Sequence, residues 1–196
     1  MDFMAMATRI ASLSPWENLG ETVHFSNNIV TVVGRVARSK ETGFQKEFTV
    51  LKHPDWVHVV ALTYDDEIVL VRQFRHGVND FTLELPGGAV EIGEDPKHAA
   101  LRELSEETGY VSNQWEPLGS LYANPALNTN SVHMFLARDV ILTNGLPPDQ
   151  GEELEIGAFP LETVMEMCHN GRILHPFTCS AVFALLVKYP ELSPKL

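Results

Sequence analysis

Glu103, Glu106 and Glu107 fall within five positions in RELSEETG, residues 102–109. Residues three and four apart are neighbours on a helix, and like charges there repel by about 0.2–0.5 kcal/mol. At about 100° per residue the three carboxylates share one face, while Ala100, Leu101, Leu104 and Thr108 can supply buried contacts elsewhere. A solvated acidic face is the ordinary reason for such a pattern, but three features oppose it here. The acids sit toward the C-terminal end of the helix, which disfavours negative charge. Arg102 offers one i,i+4 partner, Glu106, and leaves Glu103 and Glu107 without local compensation. The LPGG segment upstream is a tight, glycine-permitted loop that can lie against the face. A hard divalent cation, Mg²⁺ or Mn²⁺, takes oxygen ligands and bridges carboxylates to phosphate oxygens, which turns the repulsion into binding energy.

The elements that must hold these residues are legible around them. Asp95-Pro96 starts a helix, with Asp95 as cap and Pro96 at the first helical position, and Gly109 stops it. Upstream, Val23 to Val50 reads as strands. VHVVALTYDDEIVLVRQF reads as a hairpin about Asp65-Asp66, and FTLEL as a strand ended by Pro86-Gly87-Gly88. Strand-like segments resume at PLGSLYA, SVHMFLARDV and LEIGAF. Helices over Leu161–Asn170 and Thr178–Lys188 close the chain. Strands, one helix, strands and terminal helices imply an α/β (α+β) fold, a mixed sheet with helices on its faces.

The 196 residues carry 14 basic and 26 acidic side chains, a formal charge of −12, with 44% hydrophobic residues. That length suits one domain with a small appendage, and the charge opposes a grip on nucleic-acid backbone. An anionic substrate would need a recruited cation. Cys168 and Cys179 are too few for a disulfide framework and read as thiols in a reducing compartment. The N-terminus lacks a signal-peptide core, and no apolar run approaches the ~18 residues that span a bilayer. A soluble cytoplasmic protein with no membrane partner is expected.

GAVEIGEDPKHAALRELSEETGY, residues 88–110, resembles the Nudix box, G-x5-E-x7-R-E-U-x-E-E-x-G-U with U bulky and apolar. The match runs through Gly88, Glu94, Arg102, Glu103, Leu104, Glu106, Glu107 and Gly109, with Tyr110 where an aliphatic is usual. The resemblance implies an α/β/α sandwich and metal-dependent hydrolysis of a nucleoside diphosphate linked to another group. It makes Glu103 and Glu107 metal ligands, gives Glu106 an assisting or ligating role, and has Arg102 orient the glutamates. Glu94 becomes a structural partner, and the Gly87 carbonyl completes the coordination.

RQFRHGVNDFTLELPGG resembles the ADP-ribose and nucleotide-sugar pyrophosphatase branch, as does Pro125, fifteen residues after Tyr110. In that branch an acid on a late loop acts as base or as a further metal ligand. Glu152 is the leading candidate and Glu153 the fallback, while Gln150 stands where a base sometimes does. Arg75 is a candidate for a diphosphate or terminal-ribose contact, and Glu84 for a substrate hydroxyl acceptor or a structural partner for the box loop. His76, His98 and His133 show no ligand spacing, and Trp16, Trp56 and Phe25 are core or base-stacking candidates. The branch implies an N-terminal β segment, residues 1–47, that builds a homodimer, followed by a Nudix domain over residues 48–196. The expected substrate is ADP-ribose or a related nucleoside diphosphate sugar. The alternatives are a hydrolase of nucleoside triphosphates or dinucleotide polyphosphates, or a nucleotide sensor without turnover.

Overall fold

The structure is a computed structural model that describes residues 14–143 and 153–193. Two compact units divide the chain: residues 1–53 with 124–129, and residues 54–123 with 130–196.

In the first unit, β1 (Glu17–Ser26), β2 (Thr31–Arg38) and β3 (Gln45–Lys52) form an antiparallel meander. The Asn27 side chain makes the first turn by accepting from the Ile29 and Val30 amides at 2.9 and 2.8 Å. Residues 124–129 are laced to β3, with the Leu51 amide donating to the Leu127 carbonyl and the Thr129 amide to the Leu51 carbonyl. Strand β3 runs unbroken through residue 47.

The second unit contains β4 (Trp56–Ala61), β5 (Glu67–Arg75), β6 (Asp80–Glu84), α1 (Pro96–Thr108), β7 (Tyr110–Val111) and β8 (Gln114–Tyr122). β9 (Ser131–Arg138), β10 (Ile141–Leu142), β11 (Glu155–Pro160), α2 (Leu161–His169) and α3 (Pro176–Lys188) follow. β4 runs parallel to β9, which pairs antiparallel with β8; a second sheet has the order β11-β5-β6, and β7 pairs with β10.

Strand β4 shows why helices lie on two sides. Val57, Val59 and Ala61 join a core with Ala99, Ala100 and Leu104 of α1. Val60 and Leu62 join another with Leu161 and Val164 of α2 and Ala181 and Leu185 of α3. Side chains alternate along a strand, so a strand apolar on both faces needs a cover on each. The mixed α/β architecture expected from the sequence is present.

The expected β4–β5 hairpin is not a paired hairpin. The turn forms, with Asp66 at φ 58° and the Thr63 amide donating to the Glu67 carbonyl, but only the Leu62–Ile68 bridge links the arms. Beyond it β4 joins β9 and β5 joins β11, because each strand finds a longer ladder elsewhere. Helix α1 follows expectation: Asp95 accepts from the Lys97 amide at 2.8 Å, and Gly109 closes it at φ 70°. Leu101, read as a buried contact, is instead 37% exposed, and Ala99 takes its place in the core. Among the described residues no helix is long and apolar enough to cross a membrane.

Candidate active site

Arg102 organises the acidic face of α1. Its Nε and Nη2 fork onto Glu94 at 3.1 and 3.0 Å, Nη1 reaches Glu103 at 2.9 Å and Glu106 at 3.1 Å, and Nη2 also donates to the Ala89 carbonyl at 3.1 Å. All five donors of a guanidinium are thus engaged. The Glu94 hydrogen bonds, followed by the charge of Glu103, hold Arg102 well above its ordinary pKa, and Arg102 holds Glu94 below the usual carboxylate range. Glu103, expected to lack a local partner, has one, because the Arg102 side chain folds back over its neighbour.

Glu107 turns the other way. It is 6% exposed, on the buried side of the helix, and accepts from the Gly87 amide at 2.7 Å. The LPGG segment therefore does lie against the helix. It also runs beside β4, where the Val59 amide donates to the Pro86 carbonyl and the Val57 amide to the Gly88 carbonyl, both at 2.9 Å. Alternate carbonyls point into that ladder, and the Gly87 carbonyl, buried, accepts no hydrogen bond among the described residues. Both glycines are required by close approach. A Cβ at Gly87 would collide with the Val57 carbonyl, and one at Gly88 with the Glu103 carboxylate.

Among the described residues no three acidic, histidine or cysteine side chains converge as a ready cation cage. The donor set still fits a hard cation: Glu103 and Glu106 share the Arg102 side, Glu107 lies one turn on from Glu103 toward the core, and the Gly87 carbonyl, to which no described group donates, adjoins the amide that Glu107 accepts from. Only oxygen donors are offered, which disfavours soft metals.

The opposite wall is built on Glu84, which is 1% exposed. Arg75 Nε donates to Oε1 and Nη2 to Oε2, each at 2.8 Å; the Thr82 hydroxyl also donates to Oε1, and His175 Nε2 stands 3.4 Å from Oε2. Burial pushes the Glu84 carboxyl up, but the Arg75 hydrogen bonds, the charge of His175 and the Thr82 hydroxyl outweigh it and bring it to about 2. Expected as a substrate hydroxyl acceptor or a partner for the box loop, Glu84 here contacts Arg75, Thr82 and His175. Trp56, His58, Arg75, His175 and Phe177 face Gly87–Ala89 across a cavity of about 350 Å³. Burial, then the neighbouring His175, pushes His58 down to about 3, so its ring is neutral.

His58, His175, Phe177 and Thr178 were missed by sequence reasoning. His175-Pro176 was a legible helix start, since proline suits the first helical position; beginning the helix at Thr178 hid it. Pro125 belongs to the first unit, where it lines a cavity of about 610 Å³ with Trp16, Arg35 and Phe48. Glu152 and Gln150 lie outside the described residues, and Glu153 is exposed just ahead of β11. His133 is tied to Asp55 at 2.9 Å. Cys168 and Cys179 are free, partly buried thiols.

The fold is that of an ADP compounds hydrolase of known crystal structure, with a TM-score of 0.81, 22% identity, and coverage of 93% of this chain and 98% of that one. A NUDIX domain model matches residues 52–175. The ADP-ribose pyrophosphatase of Bacillus subtilis (strain 168) is 33% identical over 140 residues, 71% of this chain and 76% of the relative. A methanol dehydrogenase activator of Bacillus methanolicus is 34% identical over 134 residues, 68% of this chain and 72% of its own. The ADP-ribose pyrophosphatase of Mycobacterium tuberculosis is 30% identical over 142 residues, 69% of this chain and 67% of the relative. The chain belongs to the Nudix family.

Proposed function

We propose that this Nudix chain hydrolyses the diphosphate of ADP-ribose or a related nucleoside diphosphate sugar, with Mg²⁺ or Mn²⁺ as its cation. The observation that carries the reading is the shared cavity. Arg75, an anion-reading group, faces the Gly87–Ala89 loop, whose unpaired carbonyl and Glu107 contact belong to the carboxylate face. The space of about 350 Å³ that Arg75 lines is also lined by Gly87 and Gly88, the segment packed on the carboxylate-bearing helix. The relatives named as ADP-ribose pyrophosphatases support the substrate class.

In this reading Glu103, Glu106, Glu107 and the Gly87 carbonyl hold the cation, with Glu152 as a further ligand or base and Glu153 as its alternate. A bound divalent ion supplies charge neutralisation of the diphosphate and a more acidic water. Arg102 keeps Glu103 and Glu106 aligned. Arg75, held by Glu84, orients a phosphate oxygen. Water adds to one phosphorus as the bond to the bridging oxygen breaks, and the two monophosphates share the released protons. With ADP-ribose these are AMP and ribose 5-phosphate. Pro125 is kept as a substrate-binding residue on the branch resemblance alone, residues 1–47 serve a homodimer, and the Nudix domain spans residues 48–196. The setting is cytoplasmic.

The test incubates the purified protein and Mg²⁺ with ADP-ribose, GDP-mannose, other nucleotide sugars, NADH and nucleoside triphosphates. Preferential turnover of ADP-ribose or another nucleotide sugar is expected. Turnover of triphosphates as fast as ADP-ribose would overturn the substrate class, and binding without any turnover would make the chain a sensor.

A further inference from the structure

Trp56, Arg75 and His175 line two cavities at once. One is the space of about 350 Å³ beside Gly87–Ala89, and the other, of about 680 Å³, extends past His76, Asp80 and Thr82. These three side chains form the partition between them. A group that spans the partition must pass the guanidinium, so its orientation decides how an anion is received.

That orientation is set indirectly. Arg75 is fixed by its fork onto Glu84, and Glu84 in turn is fixed by the Thr82 hydroxyl and by His175. The network assigns the His175 tautomer. Thr178 Oγ1 accepts from the Leu85 amide at 3.0 Å and stands 3.0 Å from His175 Nδ1; the ionised Glu84 beside Nε2 can only accept, which turns the Thr178 proton toward Nδ1. The remaining ring proton then sits on Nε2, facing Glu84. Thr178 is fully buried and has no route to a substrate, so the hydroxyl aims the imidazole and satisfies the Leu85 amide. The ring is also fixed sideways, with centroids 4.9 Å from His58 and 5.4 Å from Phe177. The first turn of α3 is thereby fastened to the end of β6.

We propose that His175 is a positioning residue: through Glu84 it sets the Arg75 guanidinium at the partition, and so governs affinity for the substrate's diphosphate. The inference rests on the reading of this site as one for a nucleoside diphosphate. It gives a physical reason for a polar ring at this place, since an apolar ring of equal size would fill the space but lose the 3.4 Å contact of Nε2 with the Glu84 carboxylate.

A double-mutant cycle separates positioning from packing. Wild type, His175→Phe, Arg75→Ala and the double variant are titrated with inorganic diphosphate and with ADP-ribose in EDTA, where no turnover intrudes. His175→Phe should weaken both ligands about tenfold, and Arg75→Ala at least as much. The double variant should bind no more weakly than Arg75→Ala, because His175 acts through that guanidinium. His175→Gln, which restores an N–H toward Glu84, should recover most of the loss. Thr178→Val, which removes the aiming hydroxyl and the acceptor of the Leu85 amide while keeping the ring, should show a smaller loss and carries the test if His175→Phe fails to fold. With Mg²⁺ and ADP-ribose, the His175→Phe defect should fall on KM rather than on kcat. Additive losses, unchanged affinity in His175→Phe and Thr178→Val, or wild type that does not bind diphosphate would each overturn the proposal. Absence of ADP-ribose turnover alongside a coupled diphosphate cycle would overturn the substrate reading and leave His175's role standing.

Discussion

Two arginines of the second unit are both engaged by carboxylates, and they do opposite things. Arg102 is one guanidinium spread over Glu94, Glu103 and Glu106. Arg75 forks onto the single acid Glu84, which collects further donors from Thr82 and the facing His175. The first region keeps an excess of negative charge, with Glu107 adjoining, and is the proposed cation site. The second is balanced and buried, and is built to hold one guanidinium still. Both regions pair an arginine with carboxylate; the ratio of acids to guanidinium tells them apart.

Glu107→Gln breaks the first region at its centre. The amide oxygen can still accept from the Gly87 N–H, so the loop stays in place, but a carboxylate is lost from the proposed cation site. Turnover should fall by more than about a hundredfold, since outer partners of metal ligands alone cost about 10–100-fold. Folding stability should hold or rise, because repulsion along the helix edge is relieved. Activity within threefold of wild type, measured at saturating Mg²⁺, would remove Glu107 from the site.

Glu84→Gln strikes the second region. It leaves Arg75 without its counter-charge, and breaking a fully buried pair costs about 3–5 kcal/mol. Arg75 is 43% exposed, so water recovers part of that, and a loss of about 1–3 kcal/mol is expected in denaturant titration. Acid reports the same contact. The folded carboxyl, near 2, lies below its ordinary 4.5, so the stabilisation is complete above 4.5 and disappears as pH falls through 4.5 toward 2. In Glu84→Gln that part of the acid limb should flatten. An unchanged acid limb would mean that Glu84 titrates normally.

Arg102→Lys sharpens the contrast. An ammonium has three donors and no fork, so it cannot serve Glu94, Glu103, Glu106 and the Ala89 carbonyl together. A loss of about 1–2 kcal/mol is expected in EDTA, with partial recovery in millimolar Mg²⁺, because a cation can take over the freed carboxylates. Glu84→Gln should show no such recovery. Equal Mg²⁺ responses in the two variants would erase the distinction between the regions.

Sequence reasoning reached the first region because its residues are local: Glu94, Arg102, Glu103, Glu106 and Glu107 lie within fourteen positions, four of them on one helix whose caps were legible and Glu94 just ahead of its cap. It placed Arg75 and Glu84 without seeing that they bind each other. Their contact depends on the β5–β6 ladder, where Arg75 pairs with Asp80 and Val71 with Glu84. His175 and Thr178 were out of reach for a stronger reason, since ninety residues separate them from Glu84 and only tertiary packing joins them. The β4–β5 pair failed likewise: a good local turn does not decide which neighbour a strand prefers.

Arg72 supplies the smallest and most discriminating effect. It stands on the same strand as Arg75, pairs with Glu155 at 2.8 Å and lies over the Phe81 ring, yet its side chain is 43% exposed and that of Glu155 74%. Arg75 has the same exposure, so exposure of the arginine alone predicts equal costs. The difference lies in the acid, 1% exposed for Arg75 and mostly solvated for Arg72. Arg72→Ala should therefore cost less than about 1 kcal/mol, and the cost should shrink with added salt, as it does for surface pairs. Arg75→Ala, which strands a buried carboxylate, should cost more and respond less to salt. If the two costs matched, burial of the carboxylate would not be what separates an ornamental arginine from a positioned one.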